Sequence, residues 1–184
     1  MSIKWRDPGL ANDTPISGDL RACLLEPGSL IKRLEKFSPK KISLTLEAQL
    51  WKRPHPDESK LLDLRSGGYG LLREIFLTCD AHPWVYARTI IPPRTLLGSR
   101  RLAHWGNKPL GYFLFSNKLT YRGKIEIAGM KTSSIPYEPI YNLALEEDSL
   151  LWGRRSFFYI KNKPLLLIEI LLPEAIKCIN SLKK

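Results

Sequence analysis

The sequence is poor in cysteine and contains no long apolar run. Its 184 residues include three cysteines, Cys23, Cys79 and Cys178, whose spacing matches no zinc site. An odd number of thiols without paired spacing favours free, buried cysteines over disulfides. No segment approaches the roughly 18 apolar residues that a membrane-spanning helix needs, and the N-terminus lacks the apolar segment of a signal peptide. These absences predict a cytoplasmic protein without stable membrane insertion.

The common catalytic signatures are missing as well. There is no phosphate-binding glycine loop, no dinucleotide-binding fingerprint and no Gly-x-Ser-x-Gly motif. The three histidines, His55, His82 and His104, each lie near an expected turn or loop. The sequence therefore does not support catalysis by a Ser–His or a Cys–His pair.

Acidic residues are outnumbered by basic ones. The chain has 29 Lys and Arg against 18 Asp and Glu, which gives a net charge of +11. The basic residues are spread along the chain in short clusters, and no nucleic-acid-binding motif accompanies them. A solvated basic surface is the simplest interpretation, and steering of a small anionic substrate is the next. We expect no nucleic-acid partner.

Hydrophobic patterning predicts a single α+β domain. Apolar residues make up 43% of the chain and no glycine- or serine-rich linker divides it. This favours one domain over residues 18–184, after a loosely ordered lead-in over residues 1–17. Alternating or continuous apolar patterns predict six strands, over residues 42–50, 71–79, 84–91, 118–128, 152–161 and 165–172. Because several of them form hairpins, we expect one antiparallel sheet with helices on one side or end.

Helical patterns are fewer and shorter than the strands. Two short helices are expected between residues 18 and 37, split by Glu26-Pro27-Gly28, with Ser29 as the N-cap of the second. The pair either packs as a simple hairpin or covers a pocket and offers its N-terminus, at Ser29-Leu30, to an anion. The remaining segments are expected to be helical over 94–105 and 174–184, a turn or helix over 110–115, and irregular over 53–70 and 129–150.

Glu169 is the one ionisable residue of the last apolar strand. With a period of two it shares a face with Leu165, Leu167 and Leu171, so its carboxylate points into an apolar layer. An unpaired charge there is costly and must be compensated. Protonation, a buried cation or a polar ligand would each serve, and the last two are compatible if Glu169 and an arginine line one pocket.

Arg73 is a similar lone charge on the second strand. It shares its face with Leu71, Ile75, Leu77 and Cys79. Buried charges are usually paired, so one interpretation is a structural ion pair between Arg73 and Glu169. The other is a guanidinium held ready for the carboxylate of a substrate in a two-pronged contact.

Several motifs, in this order, strongly resemble the chorismate pyruvate-lyase family. They are Leu72-Arg73-Glu74-Ile75, Pro83-Trp84-Val85-Tyr86-Ala87-Arg88-Thr89-Ile90-Ile91-Pro92, Lys108-Pro109-Leu110-Gly111, Leu151-Trp152-Gly153-Arg154-Arg155-Ser156 and Lys163-Pro164-Leu165-Leu166-Leu167. The resemblance covers roughly residues 20–173. It implies an α+β domain with a six-stranded antiparallel sheet. It also implies conversion of chorismate to 4-hydroxybenzoate and pyruvate, the step that opens ubiquinone synthesis, without metal or organic cofactor.

The resemblance also implies ligand-binding positions at Leu30, Arg73, Leu110 and Glu169. Under it, Arg73 would clamp the ring carboxylate, and Glu169 would hydrogen-bond the ring hydroxyl and assist proton transfer. Leu30 and Leu110 would add backbone contacts and apolar walls. Arg88 and Arg155 are candidates for second anion contacts, although surface or ion-pair roles are favoured for both. Further expectations are a longer connection over residues 129–150 near the pocket rim, and a monomer.

A binding module is the rival interpretation. The UTRA effector domains of some GntR-type regulators are similar to this fold and bind small molecules without reacting them. Such a regulator needs a DNA-binding winged helix ahead of the domain, and the first 20 residues are too few to form one.

Overall fold

A six-stranded antiparallel sheet forms the centre of the molecule. The computed structural model describes residues 3–10, 16–146 and 148–181. The sheet order is β1-β2-β3-β6-β5-β4. The strands are β1 Ser43–Lys52, β2 Gly70–Cys79, β3 His82–Ile91, β4 Thr120–Lys131, β5 Leu150–Ile160 and β6 Lys163–Leu171. The predicted α+β class, strand number and antiparallel pairing are confirmed.

β6 lies inside the sheet, between β3 and β5. Leu165, Leu166, Ile168 and Ile170 along it are almost fully buried. A strand covered on both faces needs apolar residues at successive positions, which explains its continuous aliphatic sequence. Glu169 pairs in register with Ala87 of β3 and Arg154 of β5.

The two hairpins of the sheet close through two-residue turns. Asp80 and Ala81 join β2 to β3 with φ of 51° and 64°, and Lys161 and Asn162 join β5 to β6 with φ of 49° and 63°. Positive φ at both central residues matches the right-handed twist of the flanking strands. The second turn begins one residue earlier than residues 162–164, the gap between the predicted strands 152–161 and 165–172.

β1 is an edge strand whose alternation is interrupted. Its register against β2 shifts between Leu46 and Ala48, which marks a β-bulge. Beyond the bulge, Leu50 is exposed. The alternating sequence pattern of this strand predicts that the even-numbered residues from Ile42 to Leu50 share one buried face. That prediction is wrong past Leu46, because an extra residue in one strand moves the following side chains to the other face.

Three helices cover one face of the sheet: α1 Gly18–Leu24, α2 Leu30–Leu34 and, at the C-terminal end, α7 Pro173–Ser181. The Ser17 side chain caps α1 by accepting a hydrogen bond from the Leu20 N–H. Ser29 occupies the predicted N-cap position of α2, although its side chain makes no capping hydrogen bond. The expected helix pair is confirmed, with α2 ending at Leu34 rather than near Phe37. Its apolar side packs on the sheet through Leu20, Cys23, Leu24, Leu30 and Leu34.

The opposite face is covered by α3 Pro56–Leu61, α6 Glu138–Tyr141 and a 3₁₀ turn at Thr132–Ser134. The prediction of an irregular loop over residues 53–70 is wrong at α3. Pro56 is compatible with the first position of a helix, and the Glu58 carboxylate accepts a hydrogen bond from the His55 N–H at 2.9 Å. The prediction of an irregular segment over 129–150 is wrong at residues 129–131, which belong to β4, at the 3₁₀ turn and α6, and at Leu150, which begins β5.

A third group of short helices lies at one end of the sheet. It comprises α4 Pro93–Leu96, a 3₁₀ helix at Arg100–His104 and α5 Leu110–Ser116. The helix expected over 94–105 is therefore two shorter pieces separated by Leu97, Gly98 and Ser99, whereas the segment 110–115, expected to be a turn or a helix, is a helix. Leu96, Leu102, Leu110 and Leu114 pack against the ends of β5 and β6.

The N-terminal segment runs beside the other edge strand, β4. Arg6 and Ile127 exchange two backbone hydrogen bonds of 2.9 Å, and a 3₁₀ turn follows at Pro8–Leu10. Residues 11–15 of the predicted lead-in lie outside the described residues. Among the helices that are described, none has the length and apolar content required to cross a membrane.

Candidate functional site

A pocket lies between the sheet and two helix N-termini. Its floor is formed by β2, β3, β5 and β6, and its cover by the starts of α2 and α5. Leu30, Arg73, Leu110 and Glu169, the four residues predicted to bind ligand, all line it. Its free volume is about 40 Å³, room for only a few water molecules.

Arg73 is a buried cation of this pocket. Only 2% of the residue is exposed, and its Nη2 donates to the main-chain oxygens of Gly106 and Lys108 at 2.9 and 2.8 Å. Among the described residues no carboxylate lies within 4.0 Å of Arg73, and its buried Nε has no acceptor. Burial lowers the pKa of Arg73 to about 10, so the guanidinium is still charged at neutral pH.

Glu169 is compensated by a different arginine. Its Oε2 accepts a hydrogen bond of 2.6 Å from Arg154 Nε and lies 3.8 Å from Arg122 Nη2. Within the described part of the chain, Oε1 has no hydrogen-bond partner. The interpretation of Arg73 and Glu169 as a structural ion pair is therefore wrong, whereas a buried cation beside Glu169 is confirmed.

Arg154 is a site residue that the sequence reasoning missed. It is 2% exposed, and its Nη1 donates at 2.7 Å to the main-chain oxygen of Glu26, in the turn between α1 and α2. The turn at Lys161 and Asn162 pairs Arg154 with Glu169. A two-residue turn predicted at Lys161 and Asn162 would have placed Arg154 opposite Glu169. A turn that begins one residue later gives a different register, in which these two residues are not opposite each other.

Arg122 joins the same turn to the sheet. Its Nη1 donates to the main-chain oxygens of Glu26, Pro27 and Gly28 at 3.1, 3.1 and 3.3 Å. Its Nε and Nη2 donate to Ser156 Oγ at 2.9 and 2.7 Å. Burial, aided by the neighbouring charge of Arg154, lowers its pKa to about 10. The register of β4 against β5 shifts between Arg122 and Ile125, so the alternating pattern of the strand does not predict the face on which Arg122 lies.

Arg88 and Arg155 lie on the opposite face of the sheet. Arg88 contacts Glu58 at 2.8 and 3.0 Å and Glu74 at 2.7 Å, all three residues being buried. Arg155 Nε contacts Glu126 Oε2 at 2.7 Å, and its guanidinium lies over the Trp5 ring. The ion-pair role favoured for both arginines is confirmed. The alternative of anion contacts in the pocket is wrong, because neighbouring residues of a strand point to opposite faces.

The other sequence candidates lie away from the pocket. Residues 129–150 contribute Ile135, Tyr137 and Ile140 to the core on the opposite face, so their expected place at the pocket rim is wrong. His55 lies at the start of α3, while the His82 ring contacts the main-chain oxygen of Asp80. The cysteines are free thiols, and the described residues include no group of three or more His, Cys, Asp or Glu that could hold a metal ion.

Comparison with known proteins gives one family. The family model described as "Chorismate lyase" matches residues 5–178. A protein of Halorhodospira halophila named "Probable chorismate pyruvate-lyase" is 36% identical over 154 residues, which cover 84% of this chain and 81% of that protein. The "Chorismate pyruvate-lyase" of Salmonella schwarzengrund is 37% identical over 153 residues, covering 82% of this chain and 80% of the relative.

A solved structure shares the fold at much lower identity. A GntR-family transcriptional regulator from Bacillus cereus matches with a TM-score of 0.56 and 11% identity, over 72% of this chain and 92% of the other. Likeness at this level concerns the fold alone. It agrees with the α+β architecture that the sequence predicts.

Proposed function

The chain belongs to the chorismate lyase family, and from that premise we propose that the pocket between the helix pair and the sheet converts chorismate to 4-hydroxybenzoate and pyruvate. The reaction is the first committed step of ubiquinone synthesis. The observation that carries the assignment is Arg73, a buried cation without a carboxylate partner among the described residues, in the same pocket as Glu169. A dianionic substrate supplies the missing negative charge.

The protein has to contribute little covalent chemistry to this reaction. The bond between the ring and the ether oxygen of the enolpyruvyl group breaks, the ring loses the proton beside its hydroxyl, and the departing enolpyruvate gains a proton to become pyruvate. The gain of aromaticity drives the elimination. The pocket has to hold the reactive conformer, exclude water and handle one proton.

Arg73 is proposed to bind the ring carboxylate. Its Nη2 protons are directed at the main-chain oxygens of Gly106 and Lys108, whereas Nε and Nη1 have no acceptor among the described residues. These two groups lie on different edges of the guanidinium, so a two-pronged contact also needs one Nη2 proton. The carboxylate would then replace one main-chain oxygen, and binding would shift the turn that precedes α5.

Glu169 is proposed to accept the ring hydroxyl through Oε1 and to assist proton transfer. Arg154 occupies Oε2, which fixes the orientation of the carboxyl plane. Leu30 and Leu110 begin α2 and α5, where first-turn N–H groups have no partner within the helix. Their backbone contacts and apolar side chains would complete the walls around the substrate.

The cover has to move for chorismate to reach Arg73. A free volume of about 40 Å³ is far smaller than a ring with two carboxylates requires. α2 and α5 are short helices of five and seven residues that form the cover, so they are the elements proposed to open. Opening and reclosing on this scale takes microseconds to milliseconds, and product release can then limit turnover.

The test is turnover of chorismate by the purified protein in the presence of EDTA. We expect equal amounts of 4-hydroxybenzoate and pyruvate, and losses of at least about 100-fold in kcat/KM for Arg73→Ala and for Glu169→Ala. Arg155→Ala is the matched control, since Arg155 lies on the opposite face. No turnover by wild-type protein that still binds 4-hydroxybenzoate would refute the lyase and favour a UTRA-like binding module.

The setting of the reaction is also a proposal. We expect a monomer in the cytoplasm that takes chorismate as its partner, needs no metal or organic cofactor and binds no nucleic acid. Gel filtration with light scattering tests the monomer, and the EDTA arm tests the absence of a metal. Turnover lost with EDTA and restored by a divalent ion would contradict the cofactor expectation.

A further inference from the structure

A long stretch of the chain contains no acidic residue. Between Asp80 and Glu126 lie 45 residues without Asp or Glu, and eight of them are Lys or Arg. The segment from Ser149 to Ile168 also lacks Asp and Glu. The net charge of +11 is therefore unevenly distributed along the chain, and these segments can build a surface on which no carboxylate offsets the basic side chains.

Contacts bring parts of these segments together at one end of the sheet. The Lys161 N–H, in the turn between β5 and β6, donates to the Leu119 oxygen at 3.0 Å. A Cβ placed on Gly98 would lie 3.9 Å from Lys161 Cδ, so the end of α4 adjoins the same turn. α5 packs here as well, with the Phe115 ring 5.6 Å from that of Phe158 on β5.

Large apolar side chains project from this end. Leu97 is 73% exposed and Tyr112 76%, and Phe115 and Leu119 are exposed as well. Single exposed apolar residues are common and need no explanation, but these four all belong to the connection between β3 and β4, among basic residues. The basic-apolar face is defined here as Leu97, Tyr112, Phe115 and Leu119 together with Arg100, Arg101, Lys108, Lys118 and Lys161.

We propose that the basic-apolar face docks peripherally on anionic lipid bilayers. Basic side chains near an anionic bilayer surface contribute about 1 kcal/mol each, and aromatic and aliphatic side chains insert between headgroups. Five basic side chains at one end match the charge of such a surface. Exposed leucines such as Leu97 and Leu119 favour lipid over nucleic acid, because leucine neither stacks on bases nor contacts phosphates.

The basic-apolar face includes the outer side of α5, the helix that forms part of the pocket cover. Leu110 and Gly111 of this helix line the pocket, while Tyr112 points to solvent. A docked bilayer would therefore contact the outer side of a helix whose inner side touches the ligand. The docking proposal itself is independent of the proposed function, because it depends only on surface residues.

The test is co-sedimentation of the full chain with vesicles of phosphatidylcholine alone and of phosphatidylcholine mixed with phosphatidylglycerol. We expect binding only to the mixed vesicles and a decrease with added salt. Arg100→Glu/Arg101→Glu should weaken binding at least about 30-fold, which corresponds to about 2 kcal/mol. Leu97→Ser/Leu119→Ser should weaken it about tenfold, with chorismate turnover measured without vesicles unchanged in both variants.

Two matched variants lie outside the basic-apolar face. Lys36→Glu/Lys41→Glu changes net charge by the same amount at exposed positions, with Lys41 close to the opposite end of the sheet. Tyr141→Ser/Leu150→Ser removes exposed apolar side chains elsewhere. Equal weakening by these controls, or no binding to mixed vesicles, would overturn the proposal. Binding of a DNA duplex, sensitive to Arg100 and Arg101 and without vesicle binding, would overturn it in favour of nucleic acid.

Discussion

Arg73 illustrates how burial prepares a charged side chain for an anion. The guanidinium has lost water on folding and has gained main-chain oxygens but, among the described residues, no carboxylate. A carboxylate that arrives in the pocket therefore meets a cation that is already largely desolvated. Interactions of this kind are stronger than the same contact at an exposed site.

Arg73 sets a pH limit for substrate binding. Burial lowers its pKa to about 10, so the charge proposed to attract the substrate is present at neutral pH and is lost as pH rises through about 10. The carboxylates of the substrate are ionised well below neutral pH. We expect the KM for chorismate to be constant from about pH 7 to pH 9 and to rise above that range.

Arg73→Lys is the comparison for this limit. A buried lysine starts from a lower pKa than arginine, so the rise in KM should begin at least about one pH unit earlier. KM is measured as a function of pH for both proteins. A wild-type rise between pH 7 and pH 8, or the same profile in both proteins, would contradict the role of the Arg73 charge.

Arg154 and Arg155 are adjacent residues with different energetic roles. Arg154→Met leaves the buried Glu169 carboxylate with Arg122 at 3.8 Å as its nearest cation, which should lower the free energy of unfolding by about 3–5 kcal/mol. Arg155→Met breaks a pair whose Glu126 side chain is 34% exposed and should cost about 1 kcal/mol or less. Urea unfolding with unchanged slopes measures both values.

Adding Glu169→Gln to Arg154→Met removes the uncompensated charge and should recover much of the lost stability. Equal losses in the two arginine variants, or no recovery in the double variant, would argue against the pairing seen here.

The turn between α1 and α2 shows how the cover is attached to the sheet. Arg122 and Arg154 donate to its main-chain oxygens, and Arg154 also contacts Glu169. The side chain proposed to handle the proton and the segment that covers the pocket therefore share one partner. A change at this turn should affect pocket opening before it affects the rest of the fold.

Arg122→Gln should loosen this cover. Losing its contacts with Glu26, Pro27 and Gly28 makes local opening easier, and we expect amide exchange to accelerate about tenfold or more over residues 20–34. Hydrogen exchange read by mass spectrometry measures this.

Arg94→Gln is the control for Arg122→Gln. Arg94 also donates to main-chain oxygens, those of Leu62 and Asp63, but these lie away from the pocket. It should accelerate exchange near residues 58–64 and leave the cover unchanged. Unaltered exchange over residues 20–34 in Arg122→Gln would disprove the attachment.

At the scale of elements, long helices and strands are predicted from the sequence better than short ones. β6 is nine residues long and the two strands of the β2–β3 hairpin are ten residues each, and their patterns predict them well. α3 is six residues long and lies between prolines and glycines that normally mark loops, so its pattern is too short to be recognised. The bulge in β1 leaves no periodic signal either.

At the scale of the whole molecule, Arg73 and Glu169 could be found because each is a lone charge on an apolar face. Their partners could not be found in that way, because partners depend on register and strand order. Arg154 faces Glu169 only if the turn lies at Lys161 and Asn162. Arg88 contacts Glu58 on α3, a helix that the sequence pattern does not predict. Local pattern thus identified the two charges that face the pocket, whereas their partners followed only from the tertiary structure.

The attachment of the cover by main-chain oxygens has a consequence for how the protein can diverge. Arg122 and Arg154 recognise the path of the backbone at Glu26, Pro27 and Gly28 rather than any side chain there. Lineages can therefore exchange residues in this turn, provided that its path is kept, while both arginines stay under selection. Among homologues, the residues of this turn should therefore vary while Arg122 and Arg154 are conserved.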